Sequence, residues 1–518
     1  MEFDTKCVTY QLHESEAVTM SGVRIEFERE IKRPQGAVSQ PSKAVNHWTS
    51  KSVYFSLLES NHSAATKANS AELLVEKLKE TDSHATSMPA SIQELDHWLT
   101  EHNEIVGRQY REYLAARKAG QPRWYFGSKS HALFFLKAVA PTKLVDGAWL
   151  FGLMRHWQDP RLASLIKIYL EELGDGVEAM NHVVLYRKLL KLNGCEDWKT
   201  LDDQFFTQGA IQLALSAHTD SHLPEVIGFN LGYEQLPLHL LITAYELKEL
   251  NIDPYYFTLH TTIDNAQSGH ARSAIDAVEE AMPMFSNSRE FMQRVIAGVK
   301  LNDVGLSTLD IIRHFDLQGE VVRVLQSKAN IGQFMHSDRC VIGGKTVNEW
   351  LQDNEQVAMF LYEMEKTGWI KRHQDPEQSP FWKVIAGEKA AMFGVFTPYE
   401  QQVIYDWIAG DALESMPMLA RLGRPWRMVE RQSKAQEDAK NSRYGNVYDF
   451  HSGNRIGKKL PDTDFNQDQL SFERYVHSID NEEALMNFLV DWMSPAKHHT
   501  PLGLCATRYF KSHMDSLF

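Results

Sequence analysis

Helical periodicity from about residue 91 to residue 330 is the feature that most restricts what this chain can fold into. Apolar residues recur there at steps of three and four, and clusters of Gly, Asp and Pro separate the segments. Short loops between amphipathic helices are typical of a helical bundle, so we predict a mainly α fold. The predicted helices of the core are 128–139, 143–157, 160–173, 177–193, 208–217, 234–250, 253–267 and 270–283.

The length of the chain requires more than one domain, because 518 residues exceed the roughly 250–300 that one hydrophobic core serves. An alternating run from Val23 to Glu28 predicts a short strand near the amino terminus. The carboxyl-terminal helices could cover the bundle or mediate formation of a homodimer. The predicted divisions are an amino-terminal extension with polar linkers at 1–90, the bundle at 91–295, a carboxyl-terminal helical domain at 296–430, and a connector with a terminal helical segment at 431–518.

Charge and composition exclude several classes of function. The chain has 68 acidic and 54 basic residues, a formal charge of -14, so it lacks a broad cationic surface for a phosphate backbone. No segment approaches the roughly 20 apolar residues of a membrane helix. The amino terminus lacks an export signal, and the four cysteines form no CxxC pair. We expect a cytoplasmic protein that acts on a small molecule, with no nucleic-acid or membrane partner.

The densest group of metal-capable side chains lies between residues 256 and 271, and it contains His260, Asp264 and His270. His260 and Asp264 share a helix face, and an imidazole and a carboxylate one turn apart can bind the same first-row metal ion. Taken alone, such a pair is more often a hydrogen-bonded pair or merely faces solvent. Neighbouring helices would have to complete a metal site.

Glu172 and His182 form a second candidate pair. They are ten positions apart, about 15 Å along a straight helix, which is too far to share one ion. Gly174 and Gly176 lie between them and allow the helix to break, so both side chains could converge. In the alternative interpretation, which the pair alone favours, the glycines form a helix end and a turn, and His182 lies on the surface of the next helix.

Glu234 is a third candidate, predicted at the start of an otherwise apolar helix. A carboxylate at that position can simply complement the helix dipole. It can also be the bridging carboxylate that a site with two metal ions requires. The residue alone does not decide between the two roles.

These candidates, in this order and at this spacing, resemble the haem-oxygenase-like diiron oxidases and oxygenases, and in particular the N-oxygenating members. The resemblance covers about residues 125–290. In that family one core helix supplies Glu and His, a second supplies Glu, and a third supplies a His-x-x-x-Asp run with another His. The metal ligands that the resemblance implies here are Glu172, His182, Glu234, His260, Asp264 and His270.

The resemblance implies a haem-oxygenase-like bundle with a non-haem diiron centre. Carboxylates with imidazoles suit Fe(II), so two Fe(II) ions per chain are expected, with molecular oxygen as co-substrate. The implied reaction is N-oxygenation, oxidative C–C cleavage or desaturation of a small amino-acid-like or fatty-acid-like substrate. An external electron donor is left open. No catalytic side chain beyond the metal ligands is implied.

The chain departs from the family pattern at one position. Three residues after the Asp, where the family places its last histidine, this chain has Gln267. Ser268 and Gly269 could break the helix and return His270 to the metal, which we favour, or else Gln267 or water fills the position. Asp146 could add a carboxylate, as in some relatives, but it is favoured as the N-cap of a helix beginning at Gly147.

Other functions have weaker support. The run from Gly343 to Thr346 resembles the end of a phosphate-binding loop, but Arg339 occupies the required first glycine position. Cys195 follows a helix and has no evident histidine partner for nucleophilic catalysis. A haem site would use an axial histidine such as His182 but would not explain the carboxylates. The non-enzymatic alternative is a helical scaffold or regulatory protein with a degenerate metal site, which the departure at Gln267 favours.

Overall fold

Helices make up most of the chain that the structure describes. In the ranges given below, the β structure consists of one antiparallel hairpin, Val341–Ile342 (β1) with Lys345–Thr346 (β2). The prediction of a mainly α protein is confirmed. The predicted strand from Val23 to Glu28 lies outside the described residues. The computed structural model describes residues 48–59, 62–263, 269–283, 287–387, 390–414 and 464–517.

The core helices agree well with the periodicity of the sequence. The helices predicted at 128–139, 208–217 and 270–283 are each confirmed to within two residues at both ends. From residue 48 onward, three α-helices precede this core: Ser50–Leu57 (α1), Ala64–Glu80 (α2) and Leu95–Lys118 (α3). The core helices are Lys129–Ala138 (α4), Ala140–Lys143 (α5), Ala163–Glu172 (α6), His182–Asn193 (α7), Thr207–Ala217 (α8), Thr219–Tyr233 (α9), Leu238–Glu249 (α10), Tyr255–Ile263 (α11), His270–Ala281 (α12) and Ser288–Lys300 (α13).

The predicted helix at 143–157 is wrong. The chain there contains the end of the one-turn helix α5 and a 3₁₀ segment, Ala148–His156. Gly147 separates them with a φ of 77°, a left-handed conformation that favours glycine. A Cβ atom on Gly147 would lie 2.9 Å from the Cβ atom of Glu172. The break therefore lets this segment approach the last turn of α6 closely.

The predicted helix at 234–250 begins too early. Glu234 is the C-cap of α9, and its N–H donates to the Asn230 carbonyl at 2.9 Å. The next helix, α10, begins only after Pro237, whose fixed φ suits a position just before a helix. Because α9 contains Pro224 and polar residues in its first turn, the sequence does not show it as a helix. Glu234 thus ends one helix instead of starting another.

Two glycines allow α9 and α13 to pack closely. A Cβ atom on Gly228 would lie 1.9 Å from the Val295 carbonyl oxygen, and one on Gly298 would lie 2.2 Å from the Glu225 carbonyl oxygen. No side chain fits at such separations. In addition, Arg294 of α13 donates to both carboxylate oxygens of Glu225, at 2.6 and 2.7 Å. The contact with α13 therefore fixes α9, whose C-cap is Glu234.

The remaining helices share one apolar core with those above. Buried side chains from Trp48 to Met514 form a continuous cluster, and the described residues lie within one compact unit. The predicted divisions at residues 90, 295 and 430 stay predictions. None of the described helices is long and apolar enough to cross a membrane. The remaining α-helices of the described residues are Thr308–Arg313 (α14), Leu317–Gly332 (α15), Val347–Leu351 (α16), Val357–Lys366 (α17), Pro380–Ile385 (α18), Pro398–Ala409 (α19), Asp464–Ser478 (α20), Glu482–Trp492 (α21) and Pro501–Leu517 (α22).

Candidate metal centre

Buried carboxylates and histidines converge in two adjoining groups. Within each group, one ligand atom from every residue lies within 4.8 Å of the others, and all members are buried. The first group is Asp146, Glu172, His182 and His260. The second group is Glu172, Glu234 and His270. Because Glu172 belongs to both, the two groups can form one site for two ions.

A turn between α6 and α7 brings Glu172 and His182 together. Gly174, Asp175 and Gly176 all have positive φ, so α6 ends and the chain reverses. The Asn181 side chain caps α7, and His182 Nδ1–H donates to Glu172 Oε2 at 2.5 Å. The glycine break is confirmed. The alternative was right that the glycines form a helix end and a turn before the next helix, but its placement of His182 on the surface is wrong, because only 1% of His182 is exposed.

Asp146 lies in the first group instead of capping a helix. The 3₁₀ segment after it has Gly147 as its N-cap, with no side-chain capping bond, so the favoured interpretation of Asp146 was wrong. The Asp146 carboxylate accepts hydrogen bonds from the hydroxyls of Tyr233 at 2.6 Å and Tyr256 at 2.5 Å. Both tyrosines, which come from α9 and α11, orient Asp146. No local sequence pattern signals these contacts.

His260 presents a bare ring nitrogen to this carboxylate. The Tyr256 carbonyl can only accept a hydrogen bond, so His260 donates Nδ1–H to it, at 2.7 Å. Burial and the neighbouring His182 lower the pKa of His260, which therefore stays neutral near pH 7 with a lone pair on Nε2. That atom lies 3.2 Å from Asp146 Oδ2. Both atoms could serve as ligands of one cation.

Glu234 and His270 complete the second group. His270 Nδ1 lies 3.1 Å from Glu234 Oε2 and 3.4 Å from Glu172 Oε1. Glu234 Oε1 is buried, and no described residue donates a hydrogen bond to it. The carboxyl end of α9 carries partial negative charge, so the helix dipole disfavours this carboxylate where the sequence had predicted a favourable effect. Glu234 thus needs a positive partner from outside its own helix.

Glu171 fixes the other side of the His270 ring. His270 Nε2–H donates to Glu171 Oε2 at 2.9 Å, so Nδ1 is the nitrogen that faces the second group. Metal-binding histidines commonly donate their second N–H to a carboxylate in this way, which sets the tautomer and the ring orientation. Glu171 is half-buried and was not predicted as a functional residue.

The protonation of the two groups follows from burial and from their opposing charges. Burial would raise the pKa of Glu172, but His182 and His270 lower it to about 2. Burial would likewise raise the pKa of Asp146, but Lys143 and His260 lower it. Burial would lower the pKa values of His182 and His270, but neighbouring carboxylates, Glu172 and Glu234 first among them, raise both. Protonated histidines therefore balance the carboxylates, and a bound metal ion would displace those protons.

The family comparison covers the segment that carries both groups. Residues 133–303 match a family model described as iron-containing redox enzyme, and every clustered residue lies within that match. Over this segment the chain is therefore similar to iron-containing redox enzymes. The predicted family resemblance, haem-oxygenase-like in fold, is thereby confirmed. Searches of curated proteins and of solved structures found no match.

Within the matched segment, five of the six predicted ligands lie in the two groups: Glu172, His182, Glu234, His260 and His270. The sixth, Asp264, lies outside the described residues, as does Gln267. The structure adds Asp146 as a group member. Whether these residues bind a metal stays a prediction.

The donor set fits iron. Carboxylate oxygens and imidazole nitrogens in one buried place suit a first-row divalent ion. Two buried atoms of the groups, Glu234 Oε1 and His182 Nε2, have no hydrogen-bond partner among the described residues, and such an ion could supply one. Even when buried carboxylates are paired with protonated histidines, removing these charges from water is costly, so stability alone does not account for the arrangement.

Proposed function

We propose that this chain is a non-haem diiron oxidase or oxygenase. The observation that carries the proposal is that Glu172 belongs to two buried carboxylate–histidine groups. In the proposal, one Fe(II) ion is held by Asp146, Glu172, His182 and His260. The other is held by Glu172, Glu234 and His270. Asp264, outside the described residues, is a further proposed ligand.

The surrounding residues orient the ligands and exclude water. When bound, iron would supply the activation of molecular oxygen. Tyr233 and Tyr256 hold the Asp146 carboxylate, and Glu171 holds the His270 ring. The Tyr256 ring packs 4.6 Å from the His260 ring, and Tyr256 is 2% exposed. Buried aromatic walls keep water away from a reactive centre.

The finer points of the proposal rest on the family. We propose a small amino-acid-like or fatty-acid-like substrate and a reaction of N-oxygenation, oxidative C–C cleavage or desaturation. An external electron donor, a cytoplasmic location and a homodimeric state remain part of the proposal. Cysteine catalysis is disfavoured, because Cys195 is fully buried, burial raises the pKa of its thiol, and its Sγ lies 3.6 Å from the Leu133 carbonyl.

Iron titration tests the proposal directly. Anaerobic addition of Fe(II) should load two ions per chain, and exposure to oxygen should then consume oxygen in proportion to the bound iron. Protein loaded with Zn(II), which has no redox chemistry, is the control and should consume none. Failure to bind iron would contradict the proposal and favour a non-catalytic helical scaffold or regulatory protein with a degenerate site.

The choice between His270 and Gln267 as a metal ligand has its own test. His270→Ala should reduce the iron content from two ions per chain to one, because the second group loses its imidazole while the first stays intact. Gln267→Ala, three residues earlier in the chain, is the matched control and should retain two ions. The reverse result would move the ligand assignment from His270 to Gln267. Iron content by metal analysis of gel-filtered protein measures both.

A further inference from the structure

The carboxyl-terminal helix α22 contacts the turn that brings Glu172 and His182 together. Arg508 Nη1 donates to the Gly176 carbonyl at 2.7 Å. A Cβ atom on Gly176 would lie 2.4 Å from the Leu504 carbonyl oxygen, so only glycine allows this approach of α22. The family match ends at residue 303, and α22 begins at Pro501. The contact therefore comes from a part of the chain outside the matched segment.

The loop before α22 contacts the same turn from a second direction. Asn181, which caps α7 next to His182, donates to the Leu173 carbonyl and to His498 Nδ1, both at 3.1 Å. Asn181 and His498 are each at most 1% exposed. Burial lowers the pKa of His498, which keeps its ring neutral and able to accept this bond. One side chain thus joins both ends of the turn to the carboxyl-terminal loop.

A third contact reaches α6 just before Glu172. The Tyr169 hydroxyl donates to the Met493 carbonyl at 2.6 Å, and Tyr169 is 1% exposed. Tyr169 is one helical turn before Glu172, so this bond fixes the register of α6 relative to the carboxyl-terminal segment. The last turn of α6, the glycine turn and the first turn of α7 are therefore all tied to residues 493–508.

We infer that the carboxyl-terminal segment positions the metal ligands Glu172 and His182, with Arg508 and His498 as positioning residues. This inference rests on the proposed function, since it assigns those ligands to iron. Three consecutive positive φ values are held in place by the surrounding structure, and besides the turn's own backbone hydrogen bonds that structure includes residues 493–508. The segment after residue 463 would then be part of the site's support and not a separate accessory.

Arg508→Met tests the inference in the full chain. Methionine retains the aliphatic stem that packs on Gly176 but loses the hydrogen bond. We expect metal affinity to fall about tenfold, as for other outer supports of metal ligands, and the absorption spectrum of the Co(II) form to change. Arg508→Lys, which keeps a donor, should restore both. Arg474→Met, an exposed arginine on α20, is the control and should behave like the wild type.

Hydrogen exchange of the metal-free protein separates this inference from the proposed function. The amides of Gly176, Val177 and Asn181 donate within the turn and should exchange faster in Arg508→Met. If the wild type binds metal and the variant binds it equally well, the inference is overturned. If the wild type binds no metal, the proposed function fails, and hydrogen exchange alone tests the positioning role. Faster exchange of the turn amides in Arg508→Met would support that role, and unchanged exchange would overturn it.

Discussion

Replacing Glu172 with Gln is expected to remove both metal ions from the protein. Glu172 is the one residue common to the two groups, and Gln keeps its size while removing the negative charge that both ions would share. His182 and His270 would also lose the carboxylate that their Nδ1 atoms approach at 2.5 and 3.4 Å. The iron content should fall from two ions per chain to less than one.

A matched control, together with the number of metal ions lost, makes the Glu172 experiment decisive. Glu178 is an exposed glutamate between Glu172 and His182, and it pairs with Lys188 at 2.9 Å. The Glu178→Gln variant should therefore retain two ions. Metal analysis is compared at equal helical content, read from circular dichroism. If Glu172→Gln retained one ion, Glu172 would be a ligand of one ion and not of both. If it retained two, the proposed shared ligand would be wrong.

The parts of the site that are local in sequence could be predicted. The Gly-x-Gly run between Glu172 and His182 signals a break in a helix, and the structure has that break. Helix faces at three- and four-residue steps placed His260 and His270 on separate helices, α11 and α12. In each case the relevant physical signal, a backbone preference or a periodicity, lies within a few residues.

The parts that depend on distant contacts could not be predicted. Asp146 joins the site because Tyr233 and Tyr256 donate to it, and the two tyrosines lie 87 and 110 positions away. A local rule therefore made it a helix cap. Arg508 is 332 positions from Gly176, so nothing in the spacing of the sequence connects it to the site. Tertiary packing decides such roles, and the sequence records only the side chains that take part.

Glu234 lies in a cluster that could hold a metal ion, but the sequence made it a candidate through a helix position that the structure does not have. The sequence placed it at a helix start, where a carboxylate is stabilised by the dipole, and the structure places it at a helix end. Pro224 obscured the helix before it, because proline in a helix interior is usually a break. The corrected position strengthens its candidacy as a ligand, since a buried carboxylate at a helix end gains most from a cation.

The largest loss of stability is expected for Glu246→Ala in α10. Glu246 is fully buried, and its carboxylate accepts from the Tyr113 hydroxyl at 2.8 Å and from the N–H groups of Trp124 at 2.7 Å and Phe126 at 2.9 Å. Alanine would leave two buried donors, the Tyr113 hydroxyl and the Phe126 N–H, and the part-buried Trp124 N–H without this acceptor. Since each such loss costs about 1–3 kcal/mol, the free energy of unfolding should fall by about 3–5 kcal/mol.

Glu249→Ala, less than one turn further along α10, is the control. Glu249 pairs with Arg117 at 2.6 Å, but its side chain is 26% exposed, so water can replace the partner and the loss should stay below about 1 kcal/mol. Urea unfolding followed by circular dichroism compares the two variants. Equal losses in the free energy of unfolding would show that the hydrogen bonds between Glu246 and the chain before α4 do not stabilise the fold as expected. Because α10 leads directly into α11, a large loss for Glu246→Ala should also reduce the metal affinity at His260, whereas Glu249→Ala should leave it unchanged.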